Sequence, residues 1–386
     1  MDGLSDYIRW MGDFPIAATG FRDADALVLC ALSYIDMSPV FSRGGEDCRV
    51  RDCREMMESG QLRVLITGGD EGYPELLAHA AVSRRFGELR MSGFTDLFRP
   101  DPPLQFAALC FHDDADFSFL AYRGTDSTLV GWKEDFLISI RRTEAQELAL
   151  RYAEEQITPG RRWYMGGQSK GSNLALYAAC LMSGEKWDAV ERLYLLDGPG
   201  LCPEVMDQRL IERIDGKTTQ VVPQFCVVGK LFAPQIRDTR IIRSSAPGFL
   251  QHALISWGID HGRLAETAAH DPESLLLNEA VDEWIADITQ EDRVVFINEL
   301  FDALAAGGAE TLDEIRLGGP EAIEAVLRRL GESSETTKRT LSDLPKLALK
   351  HRVEKLRERL EGVRRKGEEQ IARLGEAAIR TNREGR

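Results

Sequence analysis

Three residue types stand in an order that could perform acyl transfer: Ser169 within Gly167-Gln168-Ser169-Lys170-Gly171, then Asp197, then His252. A serine hydroxyl is a weak nucleophile until a base takes its proton, and the base needs a carboxylate to orient it. Gly-x-Ser-x-Gly carries that chemistry only between a strand and a helix. Here the apolar run from Trp163 leads into the motif, and an alanine- and leucine-rich segment through Ala179 follows it. The turn is too tight for a Cβ on either side of the serine, a constraint that Gly167 and Gly171 answer. The helix starting at Lys170 aims its first N–H groups and positive dipole end at an oxyanion forming there. The competing reading is a glycine-rich turn with an incidental serine; the flanking strand and helix favour the nucleophile.

Between the motif and the charged tail the histidines are His252, His261 and His270. His252 lies in the loop after the last expected strand, where the base belongs. His261, beside Asp260, is the second choice, and His270, beside Asp271-Pro272, reads as a helix-start residue. His79, His112 and His351 read as structural or surface residues. Asp197 closes the expected strand Val190 to Leu196 and is the favoured acid, although an aspartate before Gly198-Pro199-Gly200 is also a turn former in its own right. Asp238 is the alternative, and Asp126 is disfavoured because it precedes the serine. The oxyanion hole would use the backbone N–H of Lys170 and that of Thr125, with the Thr125 hydroxyl as an addition. The Thr125 loop also reads as a helix cap, and the two roles are compatible. Gln168 braces the turn through its amide or faces solvent.

The elements that must position these residues alternate between strand and helix. Gln105 to His112 and Phe117 to Arg123 read as an antiparallel hairpin about Asp113-Asp114-Ala115-Asp116. Helical patterns cover Ala24 to Tyr34, Tyr73 to Ala81, Glu144 to Glu155 and Val205 to Ile214, and further strands are expected over Gln220 to Val228 and Arg237 to Arg243. Arg43 to Arg54 reads as irregular, and Gly68-Gly69 as a plain loop. The predicted fold is an α/β-hydrolase fold with a mostly parallel central sheet and a helical C-terminal extension. Residues 1–270 form the hydrolase domain with N-terminal helical elements, and 271–386 a helical region ending in a charged amphipathic tail. Val294, Ile297, Leu300, Phe301 and Leu304 mark one apolar stripe there. Leu349, Val353, Leu356, Leu360 and Val363 trace a short seam, read as a helix laid on the protein's own surface in preference to self-association through the C-terminal helices.

Composition narrows the function classes. With 48 basic and 63 acidic residues among 386, a formal charge of −15 argues against nucleic acid as a partner. No window approaches a membrane-spanning apolar length, so no integral membrane segment is expected. The N-terminus lacks the basic and apolar regions of a secretory signal. The seven cysteines form no paired CxxC elements, which disfavours a zinc site, and their apolar contexts read as core. The expected location is cytoplasmic, with no cofactor and no metal.

Arg123-Gly124-Thr125-Asp126, with Trp132 and Asp135, resembles the oxyanion loop of class 3 (fungal-type) lipases, and the serine motif resembles their nucleophile segment. A closer resemblance is to a bacterial α/β-hydrolase branch, the Mbeg-like proteins. It rests on Asp25 to Tyr34, Gln105 to Ala108, Ser169-Lys170-Gly171 with Asn173-Leu174-Ala175, Asp197 to Gly200, Gln251-His252 with Ser256-Trp257, and Phe296 to Leu304. The resemblance implies a Ser169, Asp197 and His252 triad in a serine hydrolase. Gln168 stands where histidine is usual, Ser172 where glycine is usual, and Cys226 near the place where class 3 lipases put the acid. The expected activity is cleavage of an ester, acyl or lipid-like. A thioesterase or peptidase with the same triad, or a non-catalytic interaction protein on this scaffold, is the alternative.

Overall fold

A computed structural model of the chain describes residues 1–44, 48–65, 72–126, 128–311, 314, 319–343, 346–347 and 350. The Gly68-Gly69 loop and the apolar seam from Leu349 to Val363 lie outside these described residues.

The sheet strands in chain order are β1 (Cys48–Arg49), β2 (Arg90–Arg99), β3 (Leu104–His112), β4 (Phe117–Tyr122), β5 (Arg162–Gln168), β6 (Val190–Leu196), β7 (Thr218–Pro223) and β8 (Asp238–Ile242). A small hairpin of β9 (Ile259–Asp260) and β10 (Arg263–Leu264) precedes the last strand, β11 (Glu266–Thr267). The nine-stranded order is β1-β2-β3-β4-β5-β6-β7-β8-β11. Neighbours are parallel from β4 to β8 and antiparallel at both margins, so the expected α/β architecture forms with a parallel centre.

The central strands read as continuous apolar runs because both of their faces are covered. Phe117, Phe119 and Ala121 of β4, with Tyr194 and Leu196 of β6, join a core under the N-terminal helices. The intervening Leu120, Tyr122, Leu193 and Leu195 join a second core under the crossover helices Glu144–Gln156 and Lys170–Leu181. All seven cysteines are buried, and none is in a disulfide.

Several boundaries differ from expectation. Within the stretch expected to be irregular, Arg43 to Arg54, the described residues from Cys48 onward are regular: they hold β1, a 3-10 turn Val50–Asp52 and the start of a helix Cys53–Glu58. Cys48, Val50 and Cys53 anchor this polar stretch in the core, and Asp52 Oδ2 accepts a cap bond from the Arg49 N–H at 2.8 Å. Strand β2 escapes a period-2 reading because its register shifts between Ser92 and Thr95, around Gly93 at φ 64°. Strand β7 stops at Pro223, which has no N–H for the ladder, several residues before the expected Val228. The freed segment turns back toward the end of β6.

The C-terminal helices Pro272–Asp287 and Gln290–Leu304 follow the sheet. Phe296, Ile297 and Phe301 pack on Leu129, Leu137 and Ile140, with Val294, Leu300 and Leu304 partly buried against the same cluster. The expected stripe therefore covers the helix Leu129–Ile138. Among the described residues no helix is long and apolar enough to cross a membrane.

Candidate active site

The parallel strands deliver their chemistry at their C-terminal ends, the usual place for a site in such a sheet. Ser169 follows β5, Asp197 follows β6, and the loop Arg123 to Asp126 follows β4. His252 ends the 3-10 turn Gly248–His252 beyond β8.

Ser169 sits at φ 58°, ψ −128° between β5 and the helix Lys170–Leu181, backbone space that a non-glycine residue occupies only under tertiary constraint. The constraint is visible in the flanking glycines. A Cβ on Gly167 would lie 2.3 Å from the Gly171 carbonyl carbon, and one on Gly171 would lie 2.2 Å from the Tyr122 carbonyl oxygen. The Ser169 N–H donates to the Leu196 carbonyl at 3.0 Å, which ties the serine turn to the end of β6. Gly198 lets the two turns touch, since its Cβ would be 2.3 Å from the Ser169 carbonyl oxygen.

Asp197 is 1% exposed and adopts φ 40°, a left-handed conformation that aspartate tolerates. Its Oδ2 accepts from His252 Nδ1 at 2.6 Å. Its Oδ1 accepts from the Cys226 thiol at 3.2 Å and from the Gly229 N–H at 3.1 Å. The segment freed by the early end of β7 thus wraps the carboxylate. Burial, reinforced by the charge of Asp197, pushes the Cys226 thiol well up, so it remains a protonated donor.

Burial of the His252 ring works against its charged form, but the charge and hydrogen bond of Asp197, with the charge of Asp135, outweigh it and raise its pKa. Its Nε2 lies 3.1 Å from Gln168 Nε2, and the same amide donates to the His252 carbonyl at 2.9 Å. Among the described residues no hydrogen bond joins Ser169 Oγ to His252; the residue next to the serine makes that contact instead.

The loop after β4 is held from both sides. Arg123 forms a bidentate pair with Asp96 of β2 at 2.8 and 2.9 Å, and its N–H donates to Ala107. A Cβ on Gly124 would lie 2.0 Å from the Tyr34 hydroxyl and 2.6 Å from the Gln168 carbonyl oxygen, so the loop packs directly on the end of β5. Asp126 is engaged in capping Thr128, with Oδ1 accepting from its N–H at 2.8 Å. Thr125 is 8% exposed, beside Gly131 and Asp135. Burial pushes Asp135 up to about 6 against the opposing pull of Lys170, Thr125 and His252.

Lys170 offers the site only its backbone. As the first residue of its helix it carries an N–H with no intrahelical acceptor. Its side chain is 1% exposed and turned away, with Nζ donating to Glu134 and, at 2.7 Å, to the Gln105 carbonyl.

The alternatives considered from sequence lie elsewhere. Asp238 stands at the opposite end of β8, bonded to Arg240 at 2.8 Å and to Thr219 at 2.8 Å. The His261 side chain is 92% exposed in the turn between β9 and β10. His270 Nδ1 lies 3.3 Å from the Gln224 carbonyl. Tyr34 and Gly229 were not legible as site residues: the first is buried 134 positions from its Gln168 partner, and the second is one glycine in a short turn. Cys226 carried a signal, its position near the place of the lipase acid.

A family model described as Mbeg1-like matches residues 80–302. No curated protein matches the chain. Among solved structures, one titled as the crystal structure of M37 lipase is similar at 13% identity and a TM-score of 0.34, over 54% of this chain and 70% of that one. An overlap of that size carries no chemistry across.

Proposed function

The chain belongs to the Mbeg1-like family, and we propose that it is a serine hydrolase cleaving an acyl or lipid-like ester through an acyl-enzyme. The observation that carries this reading is the 2.6 Å bond from His252 Nδ1–H to a buried Asp197, beside a serine held on a strained strand-to-helix turn. In this reading His252 Nε2 takes the Ser169 proton as Oγ attacks the ester carbonyl, and Asp197 stabilises the imidazolium that results. The N–H groups of Lys170 and Thr125 receive the developing oxyanion, each such donor being worth about 3 kcal/mol. The imidazolium then protonates the leaving alcohol. Water, deprotonated by the same ring, releases the acid and restores Ser169.

Exposed apolar side chains in the turn that carries His252 support a lipid-like acyl group. Phe249 and Leu250, 60% and 58% exposed, lie in the same 3-10 turn as His252, and Phe225 meets Phe249 edge-on at 5.0 Å. Exposed apolar groups next to a base favour a substrate that can cover them.

The test is hydrolysis of a panel of p-nitrophenyl esters across pH. Because the base must be neutral and its pKa is raised, the rate should climb with pH through a midpoint above histidine's ordinary value of about 6.5. The climb should be absent in Ser169→Ala. No turnover of any ester, or turnover that Ser169→Ala retains, contradicts the reading.

A further inference from the structure

Gln168 precedes the proposed nucleophile, and its side chain is buried between the His252 carbonyl and the Tyr34 hydroxyl. The His252 carbonyl oxygen can only accept, so the atom 2.9 Å from it must be the amide nitrogen. On the other side the Tyr34 hydroxyl donates to Gln168 Oε1 and lies 3.4 Å from the Gln168 carbonyl oxygen. These contacts orient the amide. Its second N–H is then left for His252 Nε2, 3.1 Å away. A neutral imidazole has one ring lone pair in its plane, and with Nδ1–H donating to Asp197 that pair is on Nε2.

Resting on the serine-hydrolase reading, we infer that Gln168 is a positioning residue: its amide latches His252 in the neutral Nδ1–H tautomer and competes with the Ser169 hydroxyl for the lone pair that must receive the serine proton. The resting site is therefore self-occupied, and turnover requires the amide to yield Nε2 to Ser169. Tyr34 holds the latch from the N-terminal core, while Gly124 brings the oxyanion loop against the same two groups. The latch also opposes its electrostatic surroundings. Asp197 and Asp135 face the ring and favour its charged form, and the nearby Lys170 charge is engaged by Glu134. A donor aimed at Nε2 favours the neutral ring.

The test is an NMR titration of the full-length protein carrying 15N-labelled histidine, with the His252 signals identified by their loss in His252→Gln. Wild type should show the Nδ1–H tautomer above its titration midpoint. Gln168→Glu exchanges a donor for an anionic acceptor and should raise the midpoint by about one unit or more. Gln168→Leu should raise it by less. Tyr34→Phe leaves Gln168 in place but removes the hydroxyl that anchors its oxygen, which loosens the amide's hold on Nε2 and should raise the midpoint too. Unchanged signals from the other five of the six histidines report an intact fold. A midpoint that is unchanged in all three variants, or that falls in any, overturns the inference, as does an Nε2–H tautomer in wild type. The readout needs no turnover, so it stands or falls separately from ester cleavage.

Discussion

Replacing Asp197 by asparagine is expected to lower kcat for ester hydrolysis at neutral pH by about 10^4-fold, the size of the effect for a Ser–His–Asp constellation. The reason lies in the donors around the carboxylate. Cys226 Sγ–H and the Gly229 N–H both point at Oδ1. An asparagine must put its oxygen there to satisfy them, which turns its NH2 toward His252 Nδ1. The ring can then accept only by moving its proton to Nε2. In that tautomer it has no lone pair for the Ser169 proton, and its N–H opposes that of Gln168. Steady-state kinetics with a circular-dichroism check of the fold measure this. A loss below about tenfold would mean that Asp197 does not orient the base.

The second large effect concerns stability. Lys170→Met should destabilise the protein by about 3–5 kcal/mol, because it removes one partner of a buried ion pair and leaves the other charged. The side chains of Lys170 and Glu134 are 1% and 2% exposed. Once the ammonium is gone, the Glu134 carboxylate retains the Gln105 N–H, which donates to its Oε2 at 2.8 Å, while the Gln105 carbonyl loses its Nζ donor. The double variant Lys170→Met/Glu134→Gln should recover much of the loss by removing the orphaned charge. Urea unfolding followed by tryptophan fluorescence measures both. A change under about 1 kcal/mol in the single variant would show that the pair is not buried in solution. The backbone N–H of residue 170 survives the substitution, so the variant separates the stability role of this lysine from its place beside Ser169.

Much of the fold is legible in the chain because its causes are local. The serine turn declares itself through Gly167 and Gly171, whose missing side chains answer contacts made within a few residues and with the neighbouring strand. The central strands declare themselves as unbroken apolar runs, since the sheet is covered on both faces. Strand β2 is hidden by its bulge, and the early end of β7 depends on one proline. The stripe from Val294 to Leu304 shows that a face must be buried, but not that it covers the helix Leu129–Ile138. The order of serine, aspartate and histidine can be read from strand ends, whereas their hydrogen bonds cannot. The contact between Asp197 and His252 spans 55 positions, and that between Tyr34 and Gln168 spans 134. No local periodicity encodes such pairings. The environment of Asp197 is the sharpest case: a cysteine near the place where class 3 lipases put their acid instead donates a hydrogen bond to Asp197.

Active-site labelling tests Ser169 as a nucleophile most directly. Wild-type protein incubated with a fluorophosphonate should gain one phosphonyl group by intact mass, and peptide mapping should locate it on Ser169. The Ser169→Ala protein should gain none. Equal labelling of the two proteins, or a folded wild type that remains unmodified at high reagent concentration, would contradict a nucleophilic Ser169.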